Sequence, residues 1–203
     1  MLTVGKDALG VERRLAAGLL VCPACGGRLA GWGHARQRLV FGTGTISWRL
    51  RPRRARCAGC GVTHVLLPVG VLLRRRDEVV VIGTALAGVA AGMSRVQVAR
   101  MLGRPVALVR GWVARFAGRA ERVRQVFTVL ACELDPDPPV LEPAGSAVAD
   151  AVVAVFAAAG AAWRRWGRLV PALSPWELAC AVTSGTLLAR AIIAGPPNTN
   201  YAL

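Results

Sequence analysis

Two pairs of cysteines have the spacing of a metal-binding site. Cys22 and Cys25 form one Cys-x-x-Cys motif, and Cys57 and Cys60 form a second after 31 intervening residues. Two residues between the thiols allow one tight turn to present both sulfurs to a single ion. Two such pairs therefore supply the four ligands of a tetrahedral structural zinc site. A glycine follows each pair and gives the backbone conformational freedom close to the ion.

Disulfide bonds or a redox-active Cys-x-x-Cys motif are the alternative interpretation. Arginines at positions 51, 53, 54 and 56 flank Cys57 and would lower a thiol pKa, which favours either chemistry. No thioredoxin-like βαβ pattern surrounds the cysteines, so their spacing favours a metal.

The residues between the two pairs predict a β-hairpin. Arg38–Phe41 and Thr45–Leu50 alternate in polarity and are separated by Gly42-Thr43-Gly44, a pattern typical of two short strands joined by a turn. Two cysteine turns and a hairpin predict a zinc ribbon. Thr63–Pro68 is predicted to be a strand that leaves the second turn. His64 on it is interpreted as a strand residue or a phosphate donor, because four thiolates already complete a tetrahedral site.

A short helix is predicted ahead of the ribbon, over residues 7–20. Its apolar side would be formed by Leu9, Val11, Leu15 and Leu19, which recur at helical spacing.

The charge of the chain is strongly positive and unevenly distributed. The 203 residues carry a net charge of +15, and residues 1–76 contain 14 Lys or Arg against two acids. Such a field suits a polyanionic partner. The apolar run Val79–Ser94 has 16 uncharged residues, fewer than the roughly 20 of a spanning helix. The N-terminus is a poor signal peptide. We therefore expect a cytoplasmic protein, associated with the nucleoid and not with a membrane.

From Val79 onward the apolar period becomes that of helices. The first helix is predicted over residues 79–92, and Ser94-Arg95-Val96-Gln97 is a capping box that begins a second at Arg95. That helix ends before Gly103, and Pro105 is predicted at the first position of a third. Two short helices joined by a glycine-containing turn indicate a helix-turn-helix motif, although an ordinary helical hairpin has the same periodicity. Arg110 is the best candidate to contact base edges.

The predicted DNA-contacting residues are all arginines, which bind phosphate and guanine through a planar fork of donors. In the ribbon they are Arg36, Arg38, Arg51, Arg53, Arg54 and Arg56, and in the helices Arg95, Arg100, Arg104, Arg110 and Arg115. The run Arg74-Arg75-Arg76 between the two regions is interpreted as a solvated linker, with a phosphate contact as the second interpretation.

The C-terminal third is predicted to be helical. The third helix, with Val109, Trp112 and Phe116 on its apolar face, is expected to continue to Leu130 with Val123 and Phe127 on the same stripe. It is expected to pack on helices that span residues 147–168 and 175–194, after a proline-rich linker. Ser174-Pro175-Trp176-Glu177 predicts the start of the last helix, with an N-cap, a proline and a glutamate at capping positions. Cys132 and Cys180 are interpreted as core thiols, and residues 195–200 as a frayed tail. The predicted domains are 1–73 (ribbon), 77–132 (helix-turn-helix) and 146–194 (C-terminal helices), an α+β fold.

No set of residues indicates catalysis. The chain has 11 acids, and four of them lie in the proline-rich linker instead of converging as a divalent-metal nuclease requires. No nucleophilic triad, Walker loop or dinucleotide-binding glycine pattern is present. We therefore expect a protein that is not an enzyme.

The ribbon residues resemble a known group. Cys22-Pro23-Ala24-Cys25-Gly26-Gly27, Trp32-Gly33-His34-Ala35-Arg36, Arg54–Gly61 and Thr63–Pro68 resemble the zinc-ribbon head of insertion-sequence transposases. With the following helices, the chain looks like zinc-ribbon plus helix-turn-helix proteins of actinobacteria. The resemblance implies Zn²⁺ at the four cysteines and binding of double-stranded DNA. The acidic nuclease domain of those transposases has no counterpart here.

The sequence thus predicts a zinc-dependent DNA-binding protein that serves a mobile element as a non-catalytic accessory or regulatory factor. A transposase or integrase, or a second copy of the chain, would be its protein partner. Two alternatives stay open. One is an adaptor that recruits a partner through the C-terminal helices, and the other is an RNA-binding ribbon on which Trp48 stacks bases.

Overall fold

A computed structural model describes residues 1–167 and 173–189. A small β region comes first and helices follow it, which confirms the predicted α+β class. The β region contains β1 (Leu2–Val4), α1 (Ala8–Ala16), β2 (Leu29–His34), β3 (Arg38–Phe41), β4 (Ser47–Leu50), β5 (Arg53–Cys57) and β6 (Thr63–Pro68). The helices are α2 (Val79–Ala90), α3 (Arg95–Leu102), α4 (Val106–Ala117), α5 (Ala120–Leu134), α6 (Ala147–Trp166) and α7 (Pro175–Val182).

The main sheet has four strands in the order β1-β6-β5-β2. β1 runs parallel to β6, whereas β5 is antiparallel to both of its neighbours. Helix α1 begins at its cap Asp7, whose carboxylate accepts hydrogen bonds from two backbone N–H groups. Val11 and Leu15 of α1 are buried in the core of this sheet. The predicted apolar side was wrong at Leu9 and Leu19, which are 75% and 61% exposed, because α1 ends at Ala16 and buries only a narrow stripe.

The predicted hairpin is confirmed. β3 and β4 pair in antiparallel register, from Arg38 opposite Leu50 to Phe41 opposite Ser47, and form a separate two-stranded sheet. Val40 and Leu50 of this hairpin are buried against Leu67 and Val71.

Helices α2, α3 and α4 begin close to their predicted positions. The capping box at Ser94 and Gln97 is present, and Gly103 ends α3 with a φ of 61°, a left-handed conformation that glycine adopts without strain. Three residues connect α3 to α4. Pro105 precedes the first helical residue of α4 instead of occupying it, because its ψ of 136° is extended.

The prediction of one continuous third helix is wrong. The helix stops at Ala117, and α5 begins at Ala120 after Gly118 and Arg119. Arg119 has φ −135° and ψ 2°, outside the helical region, next to a glycine with low helix propensity. Val123 and Phe127, predicted to continue the apolar stripe, are both buried. Both helices bury apolar residues in the same core, and α5 packs along α6 as predicted.

The C-terminal region also departs from prediction. α7 begins with the expected capping box at Ser174 and Glu177 and with proline in its first turn, but it ends at Val182. Ser184 and Gly185 have φ values of 48° and 74°, left-handed conformations that a helix cannot contain. The predicted ends at Arg168 and Ala194, and the predicted tail, lie outside the described residues.

The β region and the helices pack directly on each other. Arg104 of the α3–α4 connection donates to Asp77 Oδ1 and to the carbonyl of Gly42, both at 2.7 Å. Trp48 Nε1 donates to Glu78 at 2.7 Å. The Arg74–Arg76 run lies beside this junction: Arg74 and Arg76 are exposed, as expected of a solvated charge run, whereas Arg75 is half-buried.

One helix in the described chain, α6, has the length and apolar composition of a membrane span. A buried core helix passes the same test, and α6 buries seven side chains against its neighbours. Asp150 and Arg164 limit the uncharged stretch within α6 to residues 151–163.

Candidate metal centre and nucleic-acid interface

The four predicted ligands converge at one point. The sulfurs of Cys22, Cys25, Cys57 and Cys60 all lie within 4.8 Å of one another. Cys22 Sγ is 3.8 Å from Cys60 Sγ, and Cys25 Sγ is 3.4 Å from Cys57 Sγ. Four ligands at the usual zinc–sulfur bond length of about 2.3 Å lie roughly 3.8 Å apart at the corners of a tetrahedron. The donor set therefore fits a tetrahedral metal ion. All four thiols are free, which does not support the disulfide interpretation.

Two tight turns present these sulfurs. The N–H of Gly26 donates to the carbonyl of Cys22 at 2.8 Å, and that of Gly61 donates to Cys57 at 3.0 Å. Gly26 and Gly61 have φ values of 71° and 74°, so the glycine after each pair is required by the turn, as its position in the sequence indicated. A Cβ on Gly27 would lie 3.0 Å from Cys57 Sγ. A side chain at position 27 would therefore crowd the cysteine cluster, whereas glycine fits there.

Hydrogen bonds make the thiol pKa values unequal. The backbone N–H of Cys60 points at Cys57 Sγ at 3.5 Å and lowers the pKa of Cys57 to about 6. The N–H of Gly27 lowers the pKa of Cys25, but the thiols of Cys57, Cys60 and Cys22 together raise it to about 12. Because four adjacent thiolates repel one another, full ionisation of the cluster requires a cation among them, and a coordinated metal supplies that charge.

His64 lies next to the cysteine cluster, and its role was predicted only in part from the sequence. It lies on β6 and is buried, which confirms the strand interpretation and removes the phosphate-donor one. Its Nε2 is 3.3 Å from Cys22 Sγ, and burial lowers its pKa, which favours the neutral ring. A neutral imidazole with its proton on Nε2 donates to the sulfur, as outer-shell partners do at metal sites.

The predicted ribbon arginines separate by strand face. Arg53, on the same face of β5 as buried Ala55 and Cys57, pairs with Glu12 at 2.8 Å and donates to the carbonyl of Gly33, so it has a structural role. Arg54 and Arg56 lie on the opposite face. The guanidinium of Arg56 lies 4.9 Å from the ring centre of Trp32, which is half exposed. Arg36 and Arg51 are exposed and Arg38 is half-buried.

The predicted helix arginines also divide into two groups. Arg95, Arg100, Arg110 and Arg115 are exposed. Arg104 is committed to Asp77 and Gly42 with a side chain only 12% exposed, so it holds the junction and has little capacity to contact phosphate. Val109, Trp112 and Phe116 are buried, as predicted. The opposite face of α4 exposes Ala107, Arg110, Ala114 and Ala117, so Arg110 stands among side chains that end at Cβ.

The sequence around the cluster matches one family. Residues 22–101 match a "Domain of unknown function (DUF6431)". The match contains the four cysteines, the hairpin, β5, β6 and α2, and it reaches the penultimate residue of α3. It thus spans the junction between the β region and the helices.

Comparison with curated proteins finds no match, and comparison with solved structures finds none either.

Several residues of the two sites could not be identified from sequence. Arg75 has a half-buried side chain beside α4, although its sequence context is that of a solvated charge run. Trp48, which was expected to be exposed for base stacking, is half-buried and bonded to Glu78. Cys180 is buried as predicted, but Cys132 is exposed because it lies on the outer face of α5. No local signal distinguishes these cases, since each depends on an element distant in the chain.

Proposed function

We propose that this protein is a zinc-dependent DNA-binding protein that acts without catalysis, as an accessory or regulatory factor. The observation that carries the proposal is the exposed face of α4, where Arg110 is flanked by Ala107 and Ala114. From Arg95 to Ala117 the chain has five arginines and no acid. A helix with one long basic side chain among short ones can approach DNA closely and place that side chain at the base edges.

The short connection between α3 and α4 supports the proposal. The connection of three residues between α3 and α4 suits a helix-turn-helix motif, in which the second helix enters the major groove. Arg95 and Arg100 of α3 are exposed and form no ion pair within the described chain. They are therefore available for the phosphates beside the groove.

Zinc is the ion that best suits the four cysteines. Four thiolates select a soft or borderline cation and tetrahedral geometry, and the complete set of protein ligands indicates a structural site. When bound, the ion cross-links the two turns. Its binding would contribute on the order of 10 kcal/mol to folding of the ribbon.

The outer ribbon face is the second basic surface in the proposal. Arg51, Arg54 and Arg56 supply charge there, and Trp32 supplies an aromatic ring. Arg53 and Arg104 are excluded from the proposed contacts because acids already pair with them. A mobile-element role rests on the resemblance of the ribbon to transposase heads, and it implies a cytoplasmic, nucleoid-associated protein with a transposase or integrase as partner.

The deciding experiment measures affinity for random duplex DNA across a salt series, using the full chain with its metal content determined. If six phosphates are neutralised, log K should fall against log salt with a slope of about −5. On a preferred site selected from that random duplex DNA, Arg110→Ala should weaken binding by about 1–3 kcal/mol. Arg122→Ala is the matched control, because it removes one exposed arginine from α5 and should change affinity much less.

Two outcomes would redirect the proposal. Absence of DNA binding at low salt, with metal bound and the fold intact, would overturn it. Preference for single-stranded RNA in direct competition would favour the RNA alternative, with Trp32 in place of Trp48 as the stacking ring.

An adaptor function is the second candidate, because α6 exposes Val153, Phe156 and Trp163 at spacings that share one helical face. The partner would be a transposase or integrase. Trp163→Glu should abolish capture of that partner and leave DNA affinity unchanged. Retained capture would exclude this face.

A further inference from the structure

A basic cleft of about 650 Å³ lies at the junction between the β region and the helices. Arg74, Arg75 and Arg76 line one side, and the first turns of α4, with Arg115, line the other. The side chains of Phe41 and Leu108 form an apolar part of the cleft wall. A volume of this size is typical of a site for a small ligand or for one unit of a polymer.

Apart from Arg104, the arginines of the cleft have no acid to neutralise them among the described residues. Asp77 is the only acid in its lining, and Asp77 is already paired with Arg104. Within the described chain, Arg75 and Arg115 form no ion pair. The Nε of Arg75 is buried without a hydrogen-bond acceptor. Burial lowers the pKa of Arg75, and the charges of Arg115 and Arg119 lower it further. The cationic side chains therefore lie close together at an energetic cost.

The backbone holds this arrangement in place. The carbonyl of Arg76 accepts from the N–H of Phe41 at 2.6 Å, and the N–H of Leu73 donates to the carbonyl of Gly185 at 2.8 Å. Between them, Arg74 has a φ of 58°, a conformation that non-glycine residues seldom adopt and that often marks a functional position. Arg115 is held by a bond from its Nη1 to the carbonyl of Gly111 at 2.8 Å.

We propose that this arginine cleft binds a phosphate group, and that in the DNA complex it holds one backbone phosphate beside the first turns of α4. Clustered guanidinium groups with unused donors match the charge and the several acceptor oxygens of a phosphate. The second half of the proposal rests on the proposed DNA-binding function, whereas the first half stands without it.

The test uses the metal-loaded full chain, Arg75→Ala, Arg115→Ala and the control Arg122→Ala. The first measurement is the rise in melting temperature caused by inorganic pyrophosphate at low ionic strength. Wild type and the control should be stabilised, and the two cleft variants should lose that response. Arg75→Ala without ligand should be no less stable than wild type, because it removes a half-buried cation that is repelled by its neighbours. If Arg75 only stabilised the fold, Arg75→Ala without ligand would be less stable than wild type.

The second measurement is duplex DNA affinity across a salt series for the same four proteins. Each cleft variant should bind about 10-fold more weakly at low salt, and its slope should be shallower by about 0.9 because one phosphate contact is lost. The control should retain the wild-type slope.

The outcomes test the phosphate site and its contact with the DNA backbone separately. An equal pyrophosphate response in all four proteins, or none in any, overturns the cleft as a phosphate site. A pyrophosphate response lost only in the cleft variants, with DNA binding unchanged in them, overturns the backbone contact and assigns the cleft to a free phosphate compound. A wild type that binds pyrophosphate in the cleft but no DNA refutes the proposed function and leaves the phosphate site established.

Discussion

The exposed Cys25 thiol faces Cys57 Sγ at 3.4 Å in a cluster whose four sulfurs suit one metal ion. Loss of a single ligand should therefore unfold the ribbon, since metal binding and folding of such a site are coupled. Cys25→Ser is expected to lose its stoichiometric metal and its β-sheet signal, measured by metal analysis and circular dichroism.

Cys132→Ser is the matched control, because Cys132 is also exposed but lies on α5, away from the cluster. It should keep wild-type metal content and melting temperature. A Cys25→Ser protein that keeps one tightly bound ion would contradict the four-cysteine assignment.

His64 allows a test of the outer shell of the same centre. His64→Phe keeps an aromatic ring but removes the donor 3.3 Å from Cys22 Sγ. Metal affinity should fall about 10- to 100-fold, as measured by competition with a chelator. His64→Gln, which retains an N–H donor, should recover part of the loss. Equal affinity in the phenylalanine variant and wild type would show that the histidine only fills space.

At the scale of elements, the close packing of α2 and α7 is set by one glycine. A Cβ on Gly83 would lie 2.1 Å from the ring of Trp176, which also makes edge contacts with Phe116 and Phe156. Gly83→Ala should destabilise the protein by about 1–3 kcal/mol through overpacking, although alanine favours a helix. Urea unfolding of the metal-loaded chain measures this difference.

Gly160→Ala in α6 is its control. The added Cβ would meet only the Nη1 atom at the end of the long Arg164 side chain, at 3.3 Å, which needs to move by only a few tenths of an ångström, so the gain in helix propensity should dominate. An increase of up to about 1 kcal/mol in the free energy of unfolding is expected. If both alanine variants were stabilised, the packing of Trp176 on α2 would be disproved.

At the scale of the whole molecule, Asp77 and Arg104 join the β region to the helices. Their side chains are 6% and 12% exposed, with Nε and Oδ1 2.7 Å apart. Asp77→Ala would leave the guanidinium unpaired inside the junction and should cost about 3–5 kcal/mol of stability. The exposed pair of Glu121 and Arg124 is the comparison, and Glu121→Ala should cost no more than about 1 kcal/mol.

A double-variant cycle with Arg104→Ala isolates the pair itself, provided that all proteins carry the same metal. Additive costs for Asp77→Ala and Arg104→Ala would mean that the two residues do not stabilise the junction together.

The same packing determines how function can be tested. α6 and α7 pack on α2, so deletion of residues 134–203 would expose the helical core and disturb every surface at once. Point variants such as Arg110→Ala and Trp163→Glu separate DNA binding from partner binding without that consequence.

Short-range sequence patterns determined much of the local structure of this protein. The cysteine spacing, the alternation around Gly42-Thr43-Gly44, and the capping boxes at Ser94 and Ser174 each depend on residues within a few positions. The metal cluster, the hairpin and the starts of α3 and α7 could therefore be predicted. The glycines after Cys25 and Cys60 were predictable for the same reason, because a tight turn next to a thiol requires a left-handed residue.

Only the tertiary structure decided which long side chains are free to act. The sequence does not distinguish the roles of Arg53, Arg75 and Arg104. In the structure, Arg53 pairs with Glu12 of α1, Arg75 lies in the arginine cleft, and Arg104 pairs with Asp77. Their partners come from other elements, and an arginine side chain reaches several ångströms from its own backbone. The exposure of Cys132 was decided in the same way, because burial depends on which face meets a neighbour that is remote in the chain.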